Sequence, residues 1–171
     1  GRVGKCSHGA NLLLNHNPKE AFKIETELDQ FNKERQLLEK DLTYKILNEI
    51  KNISNDPVLV LQGLNWHEGV IGIVAARLKD KFNKPVVLIS IEGKLGKASA
   101  RSILGFDIGS VIISAYQKNI LLKGGGHKMA GGFSIDISKI GIFKDFIINK
   151  FKDIGLNNLK QKPLFLDSKI A

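Results

Sequence analysis

A glycine-rich segment around one histidine is the part of this sequence best suited to bind an anion. Residues 123–132 read KGGGHKMAGG. Consecutive glycines are conformationally costly, but the missing side chains let backbone N–H groups approach a phosphate closely. The imidazole of His127 and the ammonium groups of Lys123 and Lys128 add further donors. We therefore predict a phosphate-binding loop, formed by Gly124, Gly125, Gly126 and His127.

A second segment carries cationic and hydroxyl side chains at alternate positions. Residues 96–102 read GKASARS, so an extended chain places Lys97, Ser99 and Arg101 on one face. An arginine guanidinium can hold a phosphate through two hydrogen bonds, and a neighbouring hydroxyl adds a neutral donor. The phosphate ligands predicted in this segment are Lys97, Ser99, Arg101 and Ser102.

Both segments have a plainer alternative. The glycine-rich segment would also suit a mobile turn between a helix and a strand, with His127 only capping the backbone. The second segment would also suit an exposed strand face without a ligand. Neither dinucleotide-binding nor P-loop spacing is met in the first, and Gly96-Lys97 lacks the upstream glycine and the following serine of a Walker motif. Nucleotide hydrolysis is rejected for that reason.

A third segment joins an aromatic ring and an imidazole to the start of a helix. Residues 65–78 read NWHEGVIGIVAARL, in which Gly69 and Gly72 permit close packing beside the preceding strand. We prefer a core position for Trp66 over stacking on a base, and we leave His67 open between packing and contact with a phosphate or a metal. No second histidine follows at zinc-protease spacing, so we predict no metal site in these residues.

Hydrophobic periodicity predicts a long helix ahead of these segments. From Pro18 to about Ile53 the apolar residues recur three or four apart, and Asn17 with Pro18 forms a good helix start. The remaining faces are charged, which favours a connector between domains over a coiled-coil helix. The apolar stripe comprises Ala21, Ile24, Leu28, Phe31, Leu38, Leu42, Ile46 and Ile50, and the charged faces carry Lys33, Glu34, Arg35, Glu39, Lys40 and Asp41.

After the turn signal at residues 55–57, strand-like and helix-like stretches alternate, which predicts an α/β fold. The predicted strands are residues 58–61, 85–91, 97–103 and 132–137, and the predicted helices are residues 69–82, 107–116 and 140–151. The initial order of strand, helix and strand implies a parallel pair. Residues 164–166 could begin a further strand.

Composition favours a polyanionic partner. The 171 residues carry a formal net charge of +9, and clustered cations gain free energy by displacing counterions from a phosphate backbone. The alternative explanation of the positive charge is that the lysines simply occupy solvent-exposed faces and bind no partner. The single Cys6 excludes an internal disulfide and fits a reducing cytoplasm, and no apolar run approaches the roughly 20 residues of a membrane span. A start at Gly1 without a signal segment suggests a piece of a longer protein.

Together the three segments resemble the DHHA1 domain of DHH-family phosphoesterases, in the form found in RecJ-type exonucleases. The resemblance rests on WHEGVIGIVAARL (66–78), GKASARSI (96–103) and GGGHKMAGGFS (124–134), with GRVG near the start and ERQLLEKDL (34–42) as weaker matches. It implies an α/β DHHA1-type domain with a central mixed β-sheet flanked by helices, preceded by a long connecting helix. The implied division is a DHH-domain remnant at 1–16, a linker helix at 17–54, the DHHA1 domain at 55–153 and the start of an OB-like β-domain at 154–171.

The resemblance also implies a function for the parent protein. RecJ-type exonucleases hydrolyse single-stranded DNA from the 5′ end and act in DNA repair and recombination. Their Mn²⁺ or Mg²⁺ is bound by the DHH domain, which would be this chain's missing partner, so no metal is expected here and no hydrolysis by this piece alone. Arg101 and Ser99 would grip the backbone phosphate, His127 would lie beside the scissile phosphate, and Arg2 would line the same cleft.

Two other functions remain open from the sequence. One is a free-standing nucleic-acid-binding module without a hydrolytic partner. The other is an oligoribonuclease or phosphatase of the same superfamily, which would be expected to end soon after the last helix. The segment Pro163-Leu164-Phe165-Leu166 favours a further element and thus the exonuclease.

Overall fold

The computed structural model describes residues 7–50 and 56–155. The helices are α1 (His8–Leu14), α2 (Pro18–Ile50), α3 (Glu68–Phe82), α4 (Ile108–Gln117) and α5 (Ile140–Asp153), the last preceded by a 3₁₀ turn at Ile137–Lys139. The strands are β1 (Leu59–Leu64), β2 (Val86–Glu92), β3 (Leu95–Arg101), β4 (Lys123–His127) and β5 (Ala130–Asp136). The α/β prediction is confirmed, and most predicted elements match within a few residues. The strand suggested at residues 164–166 lies outside the described residues.

The strands form one mixed sheet in the order β1-β2-β3-β5-β4. The pair β1 and β2 is parallel, as the order of strand, helix and strand predicted, and the other three pairs are antiparallel. Because β5 lies between β3 and β4, residues 123–127 of the glycine-rich segment are not adjacent to β3, whereas residues 130–132 pair directly with residues 99–101.

Two apolar layers cover the two faces of the sheet. On one face α4 and α5 pack over a core that includes Phe106, Phe133 and Phe143. On the other face α3 packs against β2 and β3, and the second half of α2 packs against α3. This second layer stops at β3, and an open groove of about 670 Å³ follows over β5 and β4. We call the side of the sheet that carries this groove the groove face.

The long helix confirms the predicted apolar stripe in most places, with one change of register. Leu42 and Ile46 are buried against α3, whereas Leu38 is 38% exposed. The buried position in that turn is taken by Glu39, although the charge pattern predicts an outer face for it. Its carboxylate pairs with Arg35 Nη1 at 2.7 Å and with the guanidinium of Arg77 on α3. At this turn the buried contact between α2 and α3 is therefore made by an ion pair of Glu39, and not by Leu38 as predicted.

The glycine-rich segment is a β-hairpin and not the predicted loop, since it comprises β4, a turn at Lys128 and Met129, and the start of β5. Residues 123–127 pair in regular antiparallel register with residues 130–134. Gly124 is required by packing, since a Cβ there would lie 2.7 Å from Cγ2 of Ile112 on α4 and 2.9 Å from Cβ of Phe133. The glycines therefore let the sheet press against α4, which a sequence pattern read as a loop does not reveal.

Candidate nucleic-acid interface

Side chains predicted to bind phosphate are brought together by strand register. In antiparallel strands, directly paired residues project from the same face of the sheet. Across β3, β5 and β4 the groove face has three such rows. They are Arg101–Ala130–His127, Ser99–Gly132–Gly125 and Lys97–Ser134–Lys123.

The middle strand of these rows carries small side chains, and the outer strands carry the polar groups. Ala130, Gly132 and Ser134 lie on β5, so the floor between β3 and β4 is close to bare backbone. Neighbouring strands are about 4.8 Å apart, which places the β3 and β4 backbones about 10 Å from each other across this floor. Such a shallow channel with cationic or hydroxyl walls suits a polyanionic chain that lies along β5, between β3 and β4.

Arg101 is held in a defined position at the end of β3. Its Nη1 donates to Ser99 Oγ at 3.2 Å and to the carbonyl oxygen of Ala100 at 2.7 Å, and its side chain is partly buried. The pair Ser99 and Arg101 therefore forms one donor group, as their spacing of two residues predicted. A guanidinium positioned in advance loses less conformational freedom when it binds a phosphate.

Gly72 of α3 makes room for this pair, a role that sequence reasoning missed. A Cβ at Gly72 would lie 2.9 Å from Arg101 Nη2 and 2.9 Å from Ser99 Oγ. The sequence predicted that this glycine packs on the strand preceding the helix, whereas its close contact is with β3. The available signal was a glycine inside a helix, where glycine costs about 1 kcal/mol relative to alanine.

His127 lies at the end of β4, exposed, in the same row as Arg101. Its backbone is fixed by α4, because Ile108 N donates to the Lys128 carbonyl at 3.2 Å and a Cβ at Gly109 would lie 2.8 Å from the His127 carbonyl oxygen. The imidazole thus projects from a well-supported backbone, in the same row as Arg101 and on the other side of Ala130.

The three consecutive glycines have different surroundings. A Cβ at Gly125 would meet no atom within 4 Å, so this residue opens onto the groove. Gly124 faces Ile112 on the other side of the sheet, and a Cβ at Gly126 would lie 2.5 Å from the Ala130 carbonyl oxygen. Packing within the domain therefore accounts for two of the three glycines.

The remaining predicted phosphate ligands differ in accessibility. Ser102 is buried, and its hydroxyl donates to the carbonyl oxygen of Phe106 at 2.6 Å, so this hydroxyl does not face the groove. Lys97 does line the groove, where its ammonium pairs with Glu68 at 2.6 Å. The hydrogen bond and charge of Glu68 raise the pKa of Lys97 above its ordinary value. Arg2 lies outside the described residues.

Trp66 and His67 both serve the start of α3. Trp66 is partly buried against the core cluster under α3, its ring lies against Gly63, and its carbonyl accepts from Ser90 Oγ at 2.6 Å. This is the core position preferred from the sequence. His67 Nδ1 accepts from Gly69 N at 3.1 Å and so caps the helix.

The described residues offer no metal centre of their own. Among residues 7–50 and 56–155, no three His, Cys, Asp or Glu side chains are grouped so that they could hold a metal ion. The same part of the chain has no helix that is both long and apolar enough to cross a membrane.

Comparison with known proteins finds one family and several relatives that agree with it. Residues 45–153 match the DHHA1 domain. The chain is 33% identical over 138 residues to the single-stranded-DNA-specific exonuclease RecJ of Bacillus subtilis, covering 79% of this chain and 17% of the relative. It is 32% identical over 152 residues to RecJ of Escherichia coli, covering 84% of this chain and 26% of the relative. The chain therefore spans about a quarter or less of these relatives.

A solved structure supports the same relationship. RecJ from Thermus thermophilus, crystallised in complex with Mg²⁺, matches with a TM-score of 0.79 at 30% identity. The match covers 89% of this chain and 23% of that protein. The predicted mixed sheet and preceding long helix are thus found in a RecJ structure.

Proposed function

The chain belongs to the DHHA1 family, and from this premise we propose that it is the part of a single-strand-specific DNA exonuclease that grips the nucleic-acid backbone. The whole enzyme would cleave phosphodiesters from the 5′ end in the cytoplasm. Mn²⁺ or Mg²⁺, held by a DHH domain elsewhere in the parent protein, would supply the activated water. The similarity to RecJ relatives and the net charge of +9 support this proposal.

The row that contains Arg101 and His127 is the observation that carries the proposal. These two residues stand on either side of Ala130 in one row of the groove face, next to the row of Ser99, Gly132 and Gly125 that lines the groove. A phosphate lying on the floor would accept from the guanidinium on one side and from the imidazole on the other. Since these contacts involve only the backbone of the nucleic acid, binding would be independent of base sequence.

Arg101 on β3 and His127 on β4 would have different roles. Arg101 and Ser99 form the fixed donor group, so they would hold the single-stranded DNA and set its position along the groove. His127 is exposed at the strand end, where an N–H donor would reach the oxygen of the phosphate under attack. Donors aimed at developing negative charge stabilise a transition state more than a ground state. Gly125 has no side chain, so the nucleic-acid backbone could approach the floor of the groove closely at this position.

The grip can be tested on this chain by fluorescence anisotropy with a labelled oligo(dT) strand. Arg101→Ala is expected to weaken binding by about 1–3 kcal/mol, the typical loss of a charged hydrogen bond. Lys152→Ala, an exposed lysine of α5, is the matched control, because α5 packs on the other face of the sheet. Equal binding by the wild type, Arg101→Ala and Lys152→Ala at all salt concentrations would refute the grip.

Hydrolysis needs a separate assay. A parent protein that contains the DHH domain should degrade single-stranded DNA when Mn²⁺ or Mg²⁺ is added. If this chain binds single-stranded DNA but its parent protein does not cleave it, the chain is a binding module. Comparison of single-stranded DNA with RNA oligonucleotides of the same length distinguishes the exonuclease from an oligoribonuclease.

A further inference from the structure

Two lysines and one serine form the row of the groove face farthest from His127. The register pairs Lys97 of β3 with Ser134 of β5, and Ser134 with Lys123 of β4. All three line the groove. Each lysine is one strand spacing, about 4.8 Å, from the serine between them. We call these three residues the lysine row.

Ser134 is the buried member of this row. The residue is only 6% exposed and lines the groove, where its hydroxyl can donate to a ligand. In the strand register it stands between Lys97 and Lys123. A hydroxyl donor with a cationic residue on each side is the arrangement expected for a site that accepts an oxyanion.

An internal carboxylate already neutralises one of the two ammonium groups. Glu68, the first residue of α3, pairs with Lys97 at 2.6 Å and lines the same groove. Lys123 is exposed on the opposite wall and forms no ion pair with any described residue. The row therefore has one neutralised and one available cation.

We propose that the lysine row binds a second phosphodiester of the same single strand, and that Glu68 holds Lys97 until that phosphate displaces it. This inference rests on the proposed function, since it extends the grip of Arg101. Lys97 lies four residues before Arg101 on β3, a distance of about 14 Å along the strand. A flexible nucleic-acid backbone can place two of its phosphates at such a separation, so the lysine row would fix the direction of the strand along the groove.

Opposite charge changes give the first test. With labelled oligo(dT) and the complete 171-residue chain, Lys123→Gln should weaken binding by about fivefold. It should also reduce the slope of log K against log salt by about 0.7, the value for one phosphate contact on a single strand. Glu68→Gln should strengthen binding, because it removes the competing carboxylate. Lys152→Gln is the control, and thermal melting checks that every variant is folded.

Ligand length gives the second test. The wild type should gain affinity from 5′-phosphorylated thymidine to 5′-phosphorylated oligo(dT) of three or four nucleotides, and Lys123→Gln should lose most of that gain. Ser134→Ala should lose part of it while keeping its melting temperature. The same losses with oligo(dA) would show that the contact is to phosphate.

The outcomes separate this inference from the proposed function. If the wild type does not bind the oligonucleotide, or if Arg101→Ala binds normally, the grip itself fails. If Arg101→Ala weakens binding but Lys123→Gln and Glu68→Gln behave like Lys152→Gln, the lysine row alone is refuted.

Discussion

Gly72 of α3 faces the guanidinium of Arg101 on β3 so closely that a Cβ at position 72 would lie 2.9 Å from Nη2. The same Cβ would lie 2.9 Å from Ser99 Oγ. The absence of a side chain at position 72 therefore leaves space for Arg101 and Ser99, the pair that we propose to bind single-stranded DNA. The conformation of Arg101 thus depends on α3, which is remote from it in sequence.

Replacement of Gly72 by alanine should separate binding from stability. The clashing atoms are the ends of two side chains, so Arg101 and Ser99 can move aside at little cost to the fold. Alanine is favoured over glycine inside a helix by about 1 kcal/mol. We expect an unchanged or higher melting temperature together with weaker binding of oligo(dT), measured by anisotropy. Gly141→Ala in α5, where a Cβ meets nothing within 4 Å, is the control; a loss of stability without a loss of binding would contradict this role.

Adjacent glycines of β4 should respond in opposite ways to the same change. Gly124→Ala would place a methyl group 2.7 Å from Ile112 Cγ2 and should destabilise the fold by about 1–3 kcal/mol, as overpacking does. Gly125→Ala enters open space above the groove floor, so we expect little change in stability and weaker binding of single-stranded DNA. Urea unfolding and anisotropy on both variants measure the two effects. Equal destabilisation of the two variants would show that the groove face is not open at Gly125.

His127 should matter more for cleavage than for binding. We propose that it contacts the phosphate under attack, so its contribution should arise mainly in the transition state. In a parent protein with its DHH domain, His127→Ala should lower kcat by a larger factor than it raises the dissociation constant for uncleaved strand. Single-turnover cleavage and anisotropy provide the two numbers, with Arg101→Ala as the comparison that affects binding. Equal losses in both measurements would assign His127 a plain binding role.

Glu39 should be important for attachment of the long helix. It is 1% exposed, and its carboxylate pairs with Arg35 and with Arg77 across the α2–α3 contact. Glu39→Ala removes both pairs and leaves a cavity beside Leu42 and Ile46, so we expect a loss of roughly 2–4 kcal/mol in the free energy of unfolding. Glu49→Ala, on an exposed position of the same helix, should change stability little. Chemical denaturation followed by circular dichroism measures both variants.

Local patterns in the sequence were sufficient for most elements and for one wall of the groove. The alternation of Lys97, Ser99 and Arg101 placed these side chains on one face, because the side-chain period of a strand is two. The spacing of apolar residues in α2 correctly predicted its buried stripe, except in the turn that contains Glu39. The charge of Glu39 suggested that this residue would be exposed. An ion pair with a residue on another helix cannot be read from periodicity.

The glycine-rich segment shows where sequence reasoning was insufficient. Its composition suggested a loop, whereas pairing with residues 130–134 makes residues 123–127 the strand β4, and contact with α4 explains Gly124. Likewise, Ser102 looked equivalent to Ser99 in sequence, but it follows the end of β3 and its hydroxyl turns inward to Phe106. In the first case hairpin pairing with β5 decides the structure, and in the second the end of β3 turns the hydroxyl away from the face of Ser99.

The sequence by itself determined the fold class, the family resemblance and the residue types able to bind phosphate. Only the tertiary structure decided which of those residues share a surface. His127 and Arg101 lie in one row because β5 pairs with both of their strands, and Gly72 lies beside Arg101 because α3 crosses β3. Strand periodicity is a property of neighbouring residues, whereas register and helix placement are set by long-range pairing and by burial of the apolar layers.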